Sequence, residues 1–253
     1  VGLEGRPGRD EAFVALSTLT TPSTSYRLLL PTVADDPVVV ERLALVPEDR
    51  EPPEPAFTLQ RHRARSADGT AVPYFLAVPL DDHVGPRPTL LYGYGGFMIP
   101  VLADYRPGWA AWLEAGGALA VANLRGGGEF GTSWYEQGRW AAKQNVFDDA
   151  IAVAEDLIAQ GVTTPDHLAV HGRSNGGLLA GAVLTQRPDL FAAVLPSVGV
   201  LDLLRFHLFT IGAAWMSDYG DPDTAEGFRS AYAYSPLHRI TPGEHYPATL
   251  IST

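Results

Sequence analysis

The chain has 253 residues, enough for one large domain or for one domain and part of another. Its 18 basic and 29 acidic residues give a net charge of −11 without a basic run, so we expect no nucleic-acid partner. Cysteine is absent, which excludes disulfides, thiolate metal sites and thiol nucleophiles and fits a cytoplasmic protein. We also expect no membrane partner, because no apolar run approaches the ~20 residues of a membrane span and the first residues do not resemble a signal peptide.

The first 50 residues alternate short β-type runs with turn residues and show no helical period. The runs are Ala12–Leu16, Tyr26–Leu30 and Val38–Leu45. Antiparallel strands that meander at this spacing indicate the edge of a sandwich or a propeller blade. Because one blade does not make a stable propeller, we expect further blades upstream. The segment 51–55 (EPPEP) is typical of a linker, and we place a domain boundary there, between 1–55 and 56–253.

From residue 56 onward the pattern changes to strands that alternate with helices. Two runs flank the Asp-Gly turn at 66–69, which predicts a β-hairpin. A mostly helical insertion runs to Ile240, and another apolar strand begins at Ala248. The predicted strands are Thr58–Arg65, Thr70–Pro79, Thr89–Tyr92, Ala118–Leu124, Leu168–Val170 and Ala192–Leu195, and the helices are Trp109–Ala115 and Asp148–Gln160. This order predicts an α/β fold.

A glycine-rich segment, Gly126–Gly131, satisfies the dinucleotide fingerprint G-x-G-x-x-G. The fingerprint also needs an acidic residue about twenty positions later, at the end of a second strand. Asp148 and Asp149 have about that spacing, but they stand at the start of the predicted helix, where acids interact favourably with the helix dipole. We therefore interpret the glycines as a turn that lets a strand and a helix pack closely, and we expect no nucleotide cofactor.

The stretch His167–Phe191 carries the strongest signal in the chain. A short apolar strand is followed at once by Gly172-Arg173-Ser174-Asn175-Gly176 and then by apolar residues at helical spacing. Strand, G-x-S-x-G turn and helix are the context of a nucleophile elbow, in which the serine is exposed above the sheet. Upstream, the glycine-rich segment Tyr92–Phe97 ends the strand that in this fold leads into the oxyanion-hole loop. A phenol there donates a hydrogen bond to an oxyanion, and the alternative is a core tyrosine at a strand end.

Histidines that follow the serine are candidates for the general base, because acid and histidine both come after the serine in this fold. His207, His238 and His245 qualify by order, but they lie in the helical insertion before the next sheet strand. We therefore interpret all three as structural. No H-E-x-x-H or comparable cluster occurs, so we expect no metal.

Several segments together resemble the catalytic domain of the prolyl oligopeptidase family over nearly all of residues 58–253. They are LYGYGGF at 91–97, AVANLRGGGEFG at 120–131, KQNVFDD at 143–149, GRSNGGLL at 172–179, QRPDLF at 186–191 and AAWMSDYGDP at 213–222. The first fifty residues resemble the end of the family's N-terminal β-propeller. The resemblance implies an α/β-hydrolase fold that lacks its last strands and helices and is preceded by terminal β-propeller strands.

The resemblance also implies the site. Ser174 is implied to be the nucleophile, and the backbone N–H of Asn175 and the hydroxyl of Tyr94 to form the oxyanion hole. In the family the catalytic aspartate follows the strand that begins at Ala248, and the histidine comes later, so both are implied to lie beyond Thr253. We therefore expect this chain to be part of a longer protein and to be inactive by itself.

The specificity pocket is implied as well. Trp215 is implied to stack on a substrate proline ring, in an apolar pocket that Phe97, Val200 and Tyr219 also line. A flat aromatic face and an apolar slot suit proline, which offers no N–H and little polarity. Relatives that select basic residues need carboxylates in the pocket and usually have alanine after the serine, where this chain has Asn175.

We therefore predict a monomeric serine endopeptidase that cleaves short peptides on the carboxyl side of proline through an acyl-enzyme, without a cofactor. One alternative is an esterase or a peptidase of other specificity on the same fold. A second alternative is a non-catalytic binding module, suggested by the acid and base that the chain itself does not supply.

Overall fold

A computed structural model describes residues 2–19, 21–31, 37–43 and 56–253. The described chain divides into two compact units. The first contains the described residues up to Ala56 together with Leu102–Glu114, and the second contains Phe57–Val101 and Ala115–Thr253. The predicted linker at 51–55 and the end of the predicted strand at 44–45 lie outside the described residues.

The first unit contains a four-stranded antiparallel meander in the order β1-β2-β3-β4. Its strands are β1 (Gly2–Gly5), β2 (Glu11–Leu16), β3 (Thr24–Leu29) and β4 (Val39–Leu43), and helix α1 (Pro107–Glu114) belongs to the same unit. The three predicted strands are confirmed within two residues at their described ends. Strand β1 was not predicted, because the sequence GLEG has no apolar alternation.

The second unit is built on a seven-stranded sheet in the order β11-β10-β9-β7-β8-β6-β5. The strands are β5 (Phe57–Arg65), β6 (Ala71–Pro79), β7 (Thr89–Tyr92), β8 (Ala118–Ala122), β9 (Leu168–Arg173), β10 (Ala193–Ser197) and β11 (Ala248–Thr249). Only β6 runs antiparallel to its neighbours β5 and β8. The predicted hairpin and the predicted α/β order are therefore confirmed.

Six helices of the second unit follow these strands. They are α2 (Thr132–Glu136), α3 (Gln144–Ala159), α4 (Asn175–Gln186), α5 (Met216–Tyr219), α6 (Ala225–Tyr234) and α7 (Pro236–Arg239). Helix α4 packs against β9 and β10, and α3 packs against β5, β6 and α4. No helix in the described part of the chain is long and apolar enough to cross a membrane.

The sheet centre forms because its strand sequences are apolar throughout. All five residues of β8 (ALAVA) are buried, as expected for a strand covered on both faces. Helix α4 is almost entirely apolar or glycine and buries ten of its twelve residues. Each fully buried Leu or Val side chain contributes roughly 1.5–3 kcal/mol to this core.

Helix α3 begins four residues earlier than predicted, at Gln144. Asp148 and Asp149 therefore stand in the second turn, and the prediction that they interact with the helix dipole at its start is wrong. Asp149 is fully buried and bonds to the equally buried Arg125, with 2.6 Å between Oδ1 and Nη2. It also accepts a hydrogen bond from the backbone N–H of Arg125 at 3.0 Å. The pair fixes the loop after β8 to α3.

Arg125 has a second carboxylate partner, Asp68, in the hairpin turn between β5 and β6. The guanidinium lowers the pKa of Asp68 to about 2, and a backbone hydrogen bond from Thr70 adds to the effect. Unlike Asp149, Asp68 is half exposed, so solvent screens its interaction with Arg125.

We expect Asp149→Asn to destabilise the protein by about 3–5 kcal/mol, because it leaves the buried Arg125 charge without its carboxylate. The matched control is Asp68→Asn, which removes the exposed partner of the same arginine and is expected to cost about 1 kcal/mol or less. Urea unfolding followed by tryptophan fluorescence measures both. Equal losses in the two variants would contradict the assignment of Asp149 as the principal partner.

Candidate active site

The predicted nucleophile lies on a strained turn between β9 and α4. Ser174 has φ 58° and ψ −116°, a left-handed backbone conformation that costs a non-glycine residue of order 1–3 kcal/mol. Glycines on both sides make the turn possible. A Cβ at Gly172 would lie 2.1 Å from the carbonyl oxygen of Gly176, and a Cβ at Gly176 would lie 2.5 Å from that of Gly93. The strand–turn–helix geometry predicted for G-x-S-x-G is therefore present.

The N-terminus of α4 supplies one hydrogen-bond donor beside the serine. Asn175 is the first residue of α4, and the first N–H groups of a helix have no acceptor within the helix. The backbone N–H of Ser174 donates to Ser197 O at 2.8 Å, which ties the turn to the end of β10. The N–H of Asn175 thus lies at a helix N-terminus, where negative charge is favoured.

Tyr94 lies in the loop that follows β7, half-buried, and lines the same cavity as Ser174. Burial raises the pKa of the Tyr94 phenol, and the nearby Asp218 adds to this effect, while the hydrogen bond with Ser174 opposes it. The hydroxyl is therefore protonated at neutral pH and available as a donor.

Six of the seven residues predicted for the site line one cavity of about 220 Å³. The complete lining is Tyr94, Phe97, Ile99, Ser174, Val200, Trp215 and Tyr219. None of these side chains carries a charge. Ile99 is the one member that sequence reasoning missed, because a single isoleucine in a loop has no pattern that distinguishes it from other apolar residues.

The seventh predicted residue, Asn175, is buried and joins two walls of the cavity. Its Nδ2 donates to the carbonyl oxygen of Tyr94, and its Oδ1 accepts from the hydroxyl of Tyr219 at 3.0 Å. Tyr219 also packs edge-on against Phe97, with 5.4 Å between the ring centroids. The asparagine side chain therefore sets the relative position of the Tyr94 loop and Tyr219.

Two charged residues next to this site were also missed. Lys143 precedes α3 and Asp218 lies in α5, and both side chains are fully buried. In the sequence they belong to the segments KQNVFDD and SDYG, where a single charge is typical of an exposed surface. Only the fold brings them together.

The glycines at 126–131 allow close backbone packing. A Cβ at Gly126 would lie 2.7 Å from Gly95 O, and a Cβ at Gly128 would lie 2.2 Å from Met98 O. Met98 N donates to Gly126 O at 3.1 Å. The glycines therefore allow the loop after β8 to touch the loop after β7, and the N–H of Gly126 also donates to Trp134 O in α2 at 3.0 Å.

The histidines of the helical insertion lie outside the cavity that contains Ser174. His207 Nε2 lies 3.4 Å from Asp223 Oδ2, and His238 Nδ1 lies 2.8 Å from Ser235 Oγ. His245 is exposed. In the part of the chain that the structure describes, no group of three or more His, Cys, Asp or Glu residues is arranged to hold a metal ion.

Three features define the α/β-hydrolase class. They are a mostly parallel sheet, a strained serine turn at the end of a strand, and the glycine-rich loop after β7 beside that turn. The pattern of the Prolyl oligopeptidase family matches residues 104–253. The chain therefore belongs to the prolyl oligopeptidase family.

Individual relatives agree with this. The prolyl endopeptidase of Elizabethkingia miricola is 38% identical over 254 residues, which cover 100% of this chain and 35% of that protein. A solved structure from a study of two prolyl endopeptidases has a TM-score of 0.88 at 42% identity and covers 98% of this chain and 36% of its own. A post-proline cleaving enzyme from Rickettsia typhi has a TM-score of 0.87 at 33% identity, over 98% of this chain and 35% of its own. The chain spans about a third of the length of these relatives.

We expect Gly172→Ala to destabilise the protein by about 1–3 kcal/mol, because its Cβ overlaps the Gly176 carbonyl and the turn has to open. Gly108→Ala in α1 is the matched control. Its Cβ meets no atom within 4 Å, and alanine is favoured over glycine in a helix by about 0.5–1 kcal/mol. Thermal unfolding measures both, and a Gly172→Ala protein as stable as the wild type would contradict the close packing of the turn.

Proposed function

We propose that this chain carries the nucleophile, the oxyanion hole and the specificity pocket of a serine endopeptidase that cleaves after proline. The observation that supports this best is the single cavity in which the Ser174 and Tyr94 hydroxyls meet an uncharged wall formed by Trp215, Phe97 and their neighbours. The names of the relatives agree, since they are prolyl endopeptidases and a post-proline cleaving enzyme.

In the proposed mechanism Ser174 Oγ attacks the carbonyl carbon of a proline residue. The tetrahedral intermediate places its negative oxygen between the Asn175 N–H and the Tyr94 hydroxyl. Its collapse expels the amine of the next residue and leaves an acyl-enzyme, which water hydrolyses. A general base has to take the serine proton. Because His207, His238 and His245 do not line the cavity that contains Ser174, we assign this role to a histidine, with its orienting acid, in another part of the full-length protein.

The pocket chemistry supports selection of proline over charged residues. A basic side chain would need a carboxylate in the cavity, and the lining has none although the chain as a whole has a net charge of −11. The half-buried Trp215 indole offers a flat apolar face of the size of a proline ring. Phe97 and Tyr219 close the other sides.

The remaining parts of the proposal rest on the sequence and on the family. The proposed boundary at 51–55 separates propeller strands from the peptidase domain, and the propeller restricts entry to short peptides. A monomeric cytoplasmic enzyme without a cofactor is the proposed form. The antiparallel meander of β1–β4 is consistent with a propeller blade.

The direct test is labelling of the full-length protein by a fluorophosphonate, read by intact mass and peptide mapping. We expect one adduct on Ser174 and none in Ser174→Ala, because only a serine activated by a base reacts rapidly. No adduct on the folded wild-type protein would mean that the serine is not activated. The alternative of a non-catalytic binding module would then be favoured.

Trp215→Ala tests the substrate class. We expect kcat/KM for a proline peptide to fall by about tenfold to a hundredfold, the range that a lost apolar contact produces. Hydrolysis of a simple acetate ester should change less than threefold. Trp215→Phe, which keeps an aromatic face, is the control and should retain most of the activity. Equal losses on both substrates would favour an esterase or a peptidase of another specificity.

A further inference from the structure

A buried ion pair lies directly behind the loop that carries Tyr94. Lys143 Nζ and Asp218 Oδ2 are 2.8 Å apart, and both side chains have no exposed surface. Removing two charges from water costs several kcal/mol per ion, and an apolar pair of similar volume is often at least as stable. The pair is therefore poorly explained as a device for stability alone.

Both charged groups use their remaining hydrogen-bonding capacity on the same loop. Lys143 Nζ donates to the carbonyl oxygen of Gly95 at 3.0 Å, and Asp218 Oδ1 accepts from the backbone N–H of Phe97 at 3.0 Å. The carbonyl oxygen of Tyr94 is bonded to Asn175 Nδ2. Three backbone groups within four consecutive residues are thus held by buried side chains that come from three other elements.

The loop needs these bonds because its backbone is strained. Phe97 and Met98 both have φ 56°, a left-handed conformation that is unfavourable for residues with a side chain. Gly95, with φ 63°, would place a Cβ 2.3 Å from Val146 Cγ1. The bonds from Lys143 and Asp218 oppose relaxation of this strained backbone.

The segment 94–97, which these bonds hold, begins and ends with residues of the proposed site. At one end Tyr94 provides the hydroxyl beside Ser174, and at the other end Phe97 forms a wall of the cavity. Asp218 is also adjacent in sequence to Tyr219, the opposite wall, and Lys143 Nζ lies 5.3 Å from the centre of the Tyr219 ring. Burial lowers the pKa of Lys143, and the charge of Asp218 opposes this shift.

We propose that the Lys143–Asp218 ion pair is a positioning pair. It keeps the Tyr94 hydroxyl of the oxyanion hole and the Phe97 side chain of the pocket at fixed positions relative to Ser174. The proposal rests on the proposed function for its catalytic consequence. Neither residue contacts the substrate. Both act through the backbone of residues 94–97.

The test uses two charge-free double variants of the full-length protein. The Val variant, Lys143→Met with Asp218→Val, removes both charges and both bonds to the loop. The Asn variant, Lys143→Met with Asp218→Asn, removes the same charges but keeps an amide oxygen that accepts from the Phe97 N–H. Because neither variant leaves an unpaired buried charge, we expect both to fold, as thermal unfolding will report.

We expect the Val variant to lose about 10²-fold in kcat on a proline peptide, the loss that a displacement of about 1 Å in a catalytic group produces. The Asn variant should have about tenfold higher kcat than the Val variant. A folded Val variant with kcat and KM within threefold of the wild type would overturn the proposal. Equal activity of the Val and Asn variants would overturn the role assigned to Asp218.

A double-mutant cycle with Tyr94→Phe separates positioning from a structural role. In the wild type, loss of the oxyanion donor should cost about 10²–10³-fold in kcat. In the Val variant the same change should cost tenfold or less, and in the Asn variant about tenfold to a hundredfold, because the hydroxyl is then misplaced fully or in part. Equal costs in all backgrounds would mean that the pair does not act through Tyr94 and would overturn the proposal.

Amide hydrogen exchange of the segment 94–97 gives a readout that does not depend on activity. We expect exchange of the Phe97 amide to be at least tenfold faster in the Val variant than in the wild type. Unchanged exchange would overturn the tethering. A wild-type protein that does not cleave proline peptides would overturn the proposed function instead, while the exchange result would still decide whether the pair holds the loop.

Discussion

Direct backbone-to-backbone packing around Ser174 is the constraint on which the rest of the site depends. A Cβ at Gly176 would collide with the carbonyl oxygen of Gly93, and a Cβ at Gly177 would lie 2.6 Å from the Cα of Gly199. The start of α4 therefore touches the loops that follow β7 and β10. This contact brings three loops from neighbouring strands to one edge of the sheet, where carboxyl ends of parallel strands form sites in α/β proteins. The strained Ser174 backbone persists because these loops leave it no room to relax.

Buried polar side chains then fix the positions of these loops. Asn175 joins the Tyr94 carbonyl to the Tyr219 hydroxyl, and the pair Lys143–Asp218 holds the next backbone groups of the same loop. Behind them Arg125 and Asp149 fix the loop after β8 to α3. Buried hydrogen-bonded groups have strict geometry, because an unsatisfied partner is costly in a low-dielectric interior. The site is thus apolar on the surface that faces a substrate and polar in the layer that supports it.

The sequence was sufficient for the elements and for much of the site. Apolar runs and the G-x-S-x-G turn in its strand–helix context located the sheet, the hairpin and Ser174, because these signals depend on local periodicity and backbone sterics. It failed for β1, whose sequence has no apolar alternation, and for the start of α3, where Asp149 looked like a residue of the first turn. It also missed Ile99, Lys143 and Asp218, whose roles depend on partners that are tens of residues away in the chain.

The sequence by itself determined the class of fold, the position of the serine turn and six of the residues that line the cavity beside it, the last through resemblance to a family. Local patterns are enough for the fold class and the serine turn, since a G-x-S-x-G turn between a strand and a helix has a characteristic geometry. Only the tertiary structure decided that a lone lysine and a lone aspartate form a fully buried pair, and that the glycines at 126–131 serve contact between two loops. The physical reason is that burial and long-range hydrogen bonding are properties of the packed chain, and neither leaves a periodic mark in the sequence around a single residue.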